Sequence, residues 1–204
     1  MEYLIFDFDG VLGDTDAPGT EVIKEMEGKT DAQIAAGKER YFTKSPHTRG
    51  ANLSQEQLAD IKDWTTRYGN LLYQKGFGLF DGFIDELKKI ENTKIAVVSS
   101  GSSAYIKPKL ENCGLEFFRV LTFEDHHSKE EKVEIICEDW GIPVKVAYFF
   151  TDTISDVKEL ENIMDRNKIY GCAWGYHGEK KLMTVLDENH ILREFSDIQK
   201  LFPE

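Results

Sequence analysis

Five short runs of apolar, β-branched or aromatic residues recur along the chain: Tyr3 to Phe6, Lys94 to Val98, Phe118 to Phe123, Lys145 to Phe150 and Lys168 to Ala173. Each is too short for an ordinary helix and lacks strict polar–apolar alternation, which marks strands covered on both faces. Between the last four lie helix-like stretches such as Ser155 to Arg166. Strand, helix, strand in repetition requires parallel crossovers, so the expected fold class is α/β with an open parallel sheet. Ligands of such sheets sit beyond the carboxyl ends of the strands, and chemistry is to be sought there.

The first gap breaks this rhythm. Between Phe6 and Lys94 lie 87 residues, far more than one crossover uses. Residues 15–82 read as polar helices, Ser54 to Gln74 for instance, with no convincing strand. Glycines flank the piece, Gly19 on entry and Gly76, Gly78 and Gly82 on exit. The expected organisation is a core of residues 1–14 and 83–204 carrying a helical insertion over 15–82.

Composition excludes several classes. At 41% hydrophobic and 12% aromatic the chain can bury a sizeable core, which rules out disorder. Lys+Arg 25 against Asp+Glu 37 gives a net charge of −12, a surface that repels nucleic-acid phosphates and anionic lipid. Residues 15–82 hold ten acidic and nine basic side chains, so −1 of that charge lies in the insertion and −11 in the core. Cys113, Cys137 and Cys172 are sparse and lack CxxC spacing, which implies reduced thiols and a cytoplasmic protein rather than a disulfide framework or zinc site. No apolar run approaches the roughly 20 residues of a membrane span. The opening MEYLIFDFDG has no basic region before its apolar stretch and is not expected to be a signal peptide.

Four segments carry possible chemistry. Asp7-Phe8-Asp9-Gly10 follows the first strand, and alternation puts Asp7 and Asp9 on one side. Two carboxylates that close repel by about 4 kcal/mol at 4 Å and an effective dielectric near 20. A cation or a shared proton would neutralise them; read alone, an acidic loop explains them equally well. Asp152 and Asp156 follow the strand ending at Phe150. Asp156 or Ser155 could cap the next helix, which leaves Asp152 unexplained. Carboxylates from two strand ends form an oxygen site suited to Mg²⁺. Ser99-Ser100-Gly101 ends the second strand and could cradle phosphate or cap a helix. Ser128 and Glu131 form a capping box, and Lys129 between them opposes the helix dipole while reaching toward the strand ends. Lys132, one turn on, is the competing lysine.

Together the four segments resemble the haloacid dehalogenase superfamily of aspartate-nucleophile phosphohydrolases, over the whole chain. Asp7-Phe8-Asp9-Gly10-Val11-Leu12-Gly13-Asp14-Thr15 is similar to the family's first motif, Ser99 to the second, Lys129 to the third and Asp152-Thr153-Ile154-Ser155-Asp156 to the fourth. Helices between motifs one and two match the members with a helical cap, the phosphoglycolate-phosphatase and β-phosphoglucomutase-like branch. Asp81 and Thr151 replace a proline and a glycine usual in the family, and the proline commonly following the motif-three lysine is absent. Spacing to Gly141 favours Lys129 over Lys132.

The resemblance implies a Rossmann-like catalytic core and a Mg²⁺-dependent phosphatase of a small phosphorylated metabolite. Asp7 would be the nucleophile, Asp9 the general acid and base, and Lys129 the catalytic cation. Ser99, Ser100, Gly101 and Arg49 would bind phosphate or substrate, and Asp7, Asp9, Asp152 and Asp156 would form the metal site. Asp9 argues against dehalogenation, since a leaving halide needs no proton. Lys44, His47 and Arg49 are the expected substrate-facing charges of the insertion. Trp174-Gly175-Tyr176-His177 is either a site loop or core packing. His126 and His127 are adjacent, their side chains diverge, and no metal pair is expected. The chain is expected to be a monomer or weak homodimer. A phosphomutase with the same covalent intermediate, or a non-catalytic binding protein on this fold, are the alternatives.

Overall fold

The structure, a computed structural model, describes residues 1–44 and 48–203. Its centre is a parallel sheet built from β1 (Glu2–Phe6), β4 (Thr93–Val98), β5 (Arg119–Leu121), β6 (Tyr148–Thr151), β7 (Ile169–Cys172) and β8 (Ile191–Leu192), in the order β5-β4-β1-β6-β7-β8. All pairings are parallel. Helices α4 (Asp81–Leu87), α5 (Ser103–Leu110), α6 (Lys129–Trp140), α7 (Ile154–Leu160) and α8 (Gly178–Leu182) belong to the same part of the chain.

Each strand feeds two cores because successive side chains point to opposite faces. Leu4, Phe6, Val97 and Phe150 pack into one buried cluster, whereas Ile5, Ala96, Val98 and Phe149 pack into the other. Both faces are thus covered, which is why the strands read as continuous apolar runs. Cys113, Cys137 and Cys172 carry free thiols, and no described helix is long and apolar enough to cross a membrane.

Helices α1 (Asp16–Glu27), α2 (Asp31–Thr43) and α3 (Gln55–Lys75) fill the long first gap. Two of them start on capping boxes, Thr30 with Gln33 and Ser54 with Gln57, which satisfy otherwise orphaned N–H groups. The expectation of no strand in 15–82 needs correcting. Gly78–Leu79 (β3) pairs antiparallel with Gly13–Asp14 (β2), so the chain enters and leaves the insertion through one two-stranded ribbon. Two residues per strand are too few to leave a periodic signal. The same brevity hid β8. The helix expected to Arg166 ends at Leu160, where Met164 turns back and donates its N–H to the Leu160 carbonyl at 2.9 Å.

Candidate active site

The register of the sheet brings the acidic segments together. Phe6 is level with both Val97 and Phe150, so Asp7, Ser99 and Asp152 leave neighbouring strands at one carboxyl edge. The Asp7 N–H donates to the Phe150 carbonyl at 2.9 Å, and the Ser99 N–H to the Leu121 carbonyl at 2.9 Å. A cavity of about 620 Å³ opens over this edge, lined by Asp7, Asp9, Ser99, Ser100, Gly101, Lys129, Asp152 and Asp156. Its opposite wall comes from the insertion: Ile23, Ile34, Tyr41, Phe42, Ile61, Trp64 and Tyr68.

Lys129, buried, joins two carboxylates. Its Nζ lies 2.7 Å from Asp7 Oδ2 and 2.6 Å from Asp156 Oδ2. Thr151 Oγ1 also donates to Asp156 Oδ2, at 2.6 Å, and the Lys129 N–H donates to Glu159 Oε1 at 2.7 Å. That bond gives the first turn of α6 a carboxylate against its dipole, offsetting the lysine placed there. Burial would raise the Asp156 pKa, but the Lys129 charge and hydrogen bond hold it below the ordinary value. Asp7 is pushed well up, first by burial, with Lys129 counteracting. Asp152 is pushed up to about 7, again by burial. One lysine cannot neutralise three buried carboxylates.

The competing lysine is also buried yet points elsewhere: Lys132 Nζ donates to the Ser99 carbonyl at 2.6 Å, and Lys132 does not line the cavity. Burial and then the Lys129 charge lower its pKa to about 7. The Ser128 capping box is half formed. Ser128 Oγ accepts from the Glu131 N–H at 3.3 Å, but the Glu131 carboxylate turns to Arg49 and the Ser128 N–H finds His126 Nδ1.

Arg49 is the expected site residue that the structure does not bring to the others. Its N–H donates to Glu130 Oε2 at 2.6 Å and its guanidinium to Glu131 at 2.9 Å and to Glu134. The three carboxylates on the outside of α6 hold it away from the cavity. Lys44 is exposed and its N–H closes α2 on the Arg40 carbonyl; His47 lies outside the described residues. Ser99 does not cap α5, because Ser102 does so, accepting from the Ala104 N–H at 3.2 Å.

Other residues were not legible as site residues. Tyr105, one turn into α5, is buried and donates its hydroxyl to Asp9 Oδ2 at 2.6 Å. Thr15, in position to cap α1, spends its hydroxyl on Asp9 Oδ1 at 2.8 Å instead. A Cβ on Gly101 would overlap the Tyr105 hydroxyl, so glycine is required for this contact. The Trp174–His177 loop divides between the two expectations: the Trp174 ring packs against Phe83 and Phe195, whereas the Tyr176 N–H donates to Asp152 Oδ2 at 2.7 Å and His177 Nδ1 accepts the Ile154 N–H at 3.0 Å, closing the start of α7.

The sequence profile of the haloacid dehalogenase-like hydrolases matches residues 4–163. The chain belongs to this family. Among curated proteins no sequence matches it. Haloacid dehalogenase-like structures share its fold throughout. A predicted phosphatase from Clostridium acetobutylicum superposes with a TM-score of 0.71 at 18% identity, covering 98% of this chain and 97% of that one. A haloacid dehalogenase-like family hydrolase from Streptococcus pneumoniae gives 0.70 at 15%, covering 99% and 98%. A variant of CbbY from Rhodobacter sphaeroides, in complex with xylulose-1,5-bisphosphate, gives 0.63 at 17%, covering 96% and 95%.

The site also fits a divalent cation. Asp152 Oδ1 is buried with no hydrogen-bond partner among the described residues. A Cβ on Gly10 (φ +72°) would overlap Asp152 Oδ2, so the loop after β1 closes on this carboxylate only with glycine there. Side chains alone do not complete a metal cage, since among the described residues no three His, Cys, Asp or Glu groups converge on one point. Two carboxylates with a backbone carbonyl, water and substrate oxygens are what Mg²⁺ accepts.

Proposed function

We propose that this hydrolase is a Mg²⁺-dependent phosphatase that cleaves a small phosphate monoester through an aspartyl-phosphate on Asp7. The observation that carries the reading is the trio at the strand ends. Asp7 lies 2.7 Å from Lys129, Asp9 stands two residues on, and Asp152 keeps a buried oxygen without a partner. A carboxylate is a poor nucleophile toward a phosphate dianion, so charge must be neutralised and geometry fixed before attack. Lys129 supplies a fixed positive charge, and Asp156 and Glu159 hold it in place. The Ser99 hydroxyl, which accepts the Gly101 N–H at 2.9 Å and lies 3.4 Å from Asp9 Oδ2, would have to turn from Asp9 to reach an equatorial oxygen of the transferring group.

In this reading an Asp7 carboxylate oxygen forms a bond to phosphorus as the bond to the leaving oxygen breaks. Asp9, held by Tyr105 and Thr15, donates a proton to that leaving oxygen. The same carboxylate then takes a proton from water as water attacks the phosphoryl group and frees Asp7. Asp7, Asp152 and the Asp9 carbonyl would hold Mg²⁺, which would supply the remaining positive charge needed for attack on the phosphate. The insertion α1–α3 acts as a cap, its apolar wall keeping bulk water from the intermediate.

The test is release of inorganic phosphate from a panel of phosphate monoesters with and without Mg²⁺. Asp7→Asn keeps size and shape at a buried position, so the fold is expected to persist while turnover falls below detection. Turnover that survives this substitution would remove Asp7 from the chemistry. A product that is an isomer of the substrate, with no free phosphate, would make the enzyme a mutase.

A further inference from the structure

The wall facing the carboxylates is aromatic, and its cations are already committed. The Trp64 and Tyr68 rings stack 5.1 Å apart at 9°, and Phe42 lies 4.6 Å from Tyr176 at 51°. Trp64 Nε1 donates to Glu27 Oε1 at 2.7 Å, which fixes the indole in its plane and leaves a face for contact. Three lysines line the cavity. Lys29 is ion-paired with Glu27, Lys38 with Asp16 at 2.6 Å, and Lys129 with Asp7 and Asp156. Asp60 is a further carboxylate on the wall. Among the described residues that line the cavity, a second anionic group on a substrate would therefore meet carboxylates and only cations already ion-paired.

Resting on the phosphatase reading above, we propose that the substrate is a phosphate monoester whose alcohol carries a neutral planar ring, and that the insertion discriminates against a second anion. A cavity of about 620 Å³ has room for such a molecule. Flat rings gain from offset or edge contact with aromatic walls beyond what equal apolar area provides. An unpaired carboxylate among carboxylates is penalised by desolvation and by like charge.

Three esters of primary alcohols separate these terms in the intact protein with Mg²⁺: benzyl, cyclohexylmethyl and 4-carboxybenzyl phosphate. The expected kcat/KM for benzyl phosphate exceeds that for the cyclohexylmethyl ester about fivefold and that for the carboxylated ester about tenfold. Trp64→Ala should bring the first ratio toward one, whereas Trp64→Phe should keep most of it, with melting curves of both variants as controls for folding. Equal turnover of all three esters, or preference for the carboxylated one, overturns this inference and leaves the phosphatase reading intact. Benzylphosphonate, which resists hydrolysis, reads the same preference by calorimetry. Tighter binding than cyclohexylmethylphosphonate without turnover of any ester would uphold the ring pocket and sink the phosphatase, and equal binding would overturn the ring pocket.

Discussion

Lys129 and Lys132 stand one turn apart on α6, both buried, and their surroundings give them opposite electrostatics. Lys129 faces Asp7 and Asp156, which overcome burial and raise its pKa. Lys132 faces a carbonyl, and burial lowers its pKa to about 7. Lys129→Ala should cost at least about a hundredfold in kcat, the scale of losing one stabilising charge or donor in a closed site. Lys132→Met removes no group from the cavity and should retain most activity; equal losses would put both in the chemistry. The stability of the parent relative to Lys132→Met should depend on pH in a defined direction. Below pH 7 the folded protein must carry a buried ammonium, so the penalty is complete there. It fades as pH rises from 7 toward the unfolded lysine value, because only the unfolded chain still binds the proton. The melting-temperature advantage of Lys132→Met over the parent should therefore be larger at pH 6 than at pH 10, and an advantage growing toward pH 10 would contradict the burial argument. Tyr105→Phe removes only the hydroxyl bonded to Asp9. It should lower kcat about tenfold with little change in KM, the split expected when a general acid loses its support and the binding wall does not.

At the scale of elements, the sequence was legible where a signal ran long enough. The apolar runs gave the central strands, Ser54 gave the start of α3, and the acidic pairs marked the edge that β1, β4 and β6 share. What stayed hidden was short or distant. β2, β3 and β8 are two residues each, below any periodicity. Thr15 stands in the sequence only as the end of the first motif, and the fold reveals Asp9 as its partner. Tyr105 carries no motif in the sequence; it is packed against Phe8 and Phe77, with its hydroxyl at the site. Arg49 shows what the sequence hides: its charge is visible, but its carboxylate partners lie more than eighty residues further on in α6. That contact ties the segment between α2 and α3 to the core through side chains that remain 34–40% exposed. Exposed pairs contribute about 1 kcal/mol or less. Arg49→Ala should thus lower the melting temperature by no more than about 4 °C and leave kcat/KM for a small phosphate ester within about threefold, as Arg49 lies off the cavity. A loss of tenfold or more would restore it to the substrate.

For the whole molecule, charge is distributed against the fold's own stability. The core carries −11 of the net −12, and part of that negative charge is buried at the sheet edge rather than spread over solvent. Asp7, Asp152 and Asp156 are each about 95% covered, with Lys129 as the cation among them. Desolvated carboxylates without partners cost stability. A protein built this way should be more stable with a divalent cation bound, because the ligand favours the folded state by about 2.7 kcal/mol at a hundredfold excess over its Kd. For a chain of this length that is roughly 5–10 °C in melting temperature. Asp152→Asn discriminates the origin of the effect. Asn can still accept the Tyr176 N–H, so the loop that holds it is preserved. It also removes the charge whose second oxygen lacks a partner. Without metal the variant should melt above the parent at pH 8, and added Mg²⁺ should move it little. Were Mg²⁺ to raise the melting temperature of the parent and of Asp152→Asn equally, the cation would be acting on the acidic surface at large and not at the ends of β1 and β6.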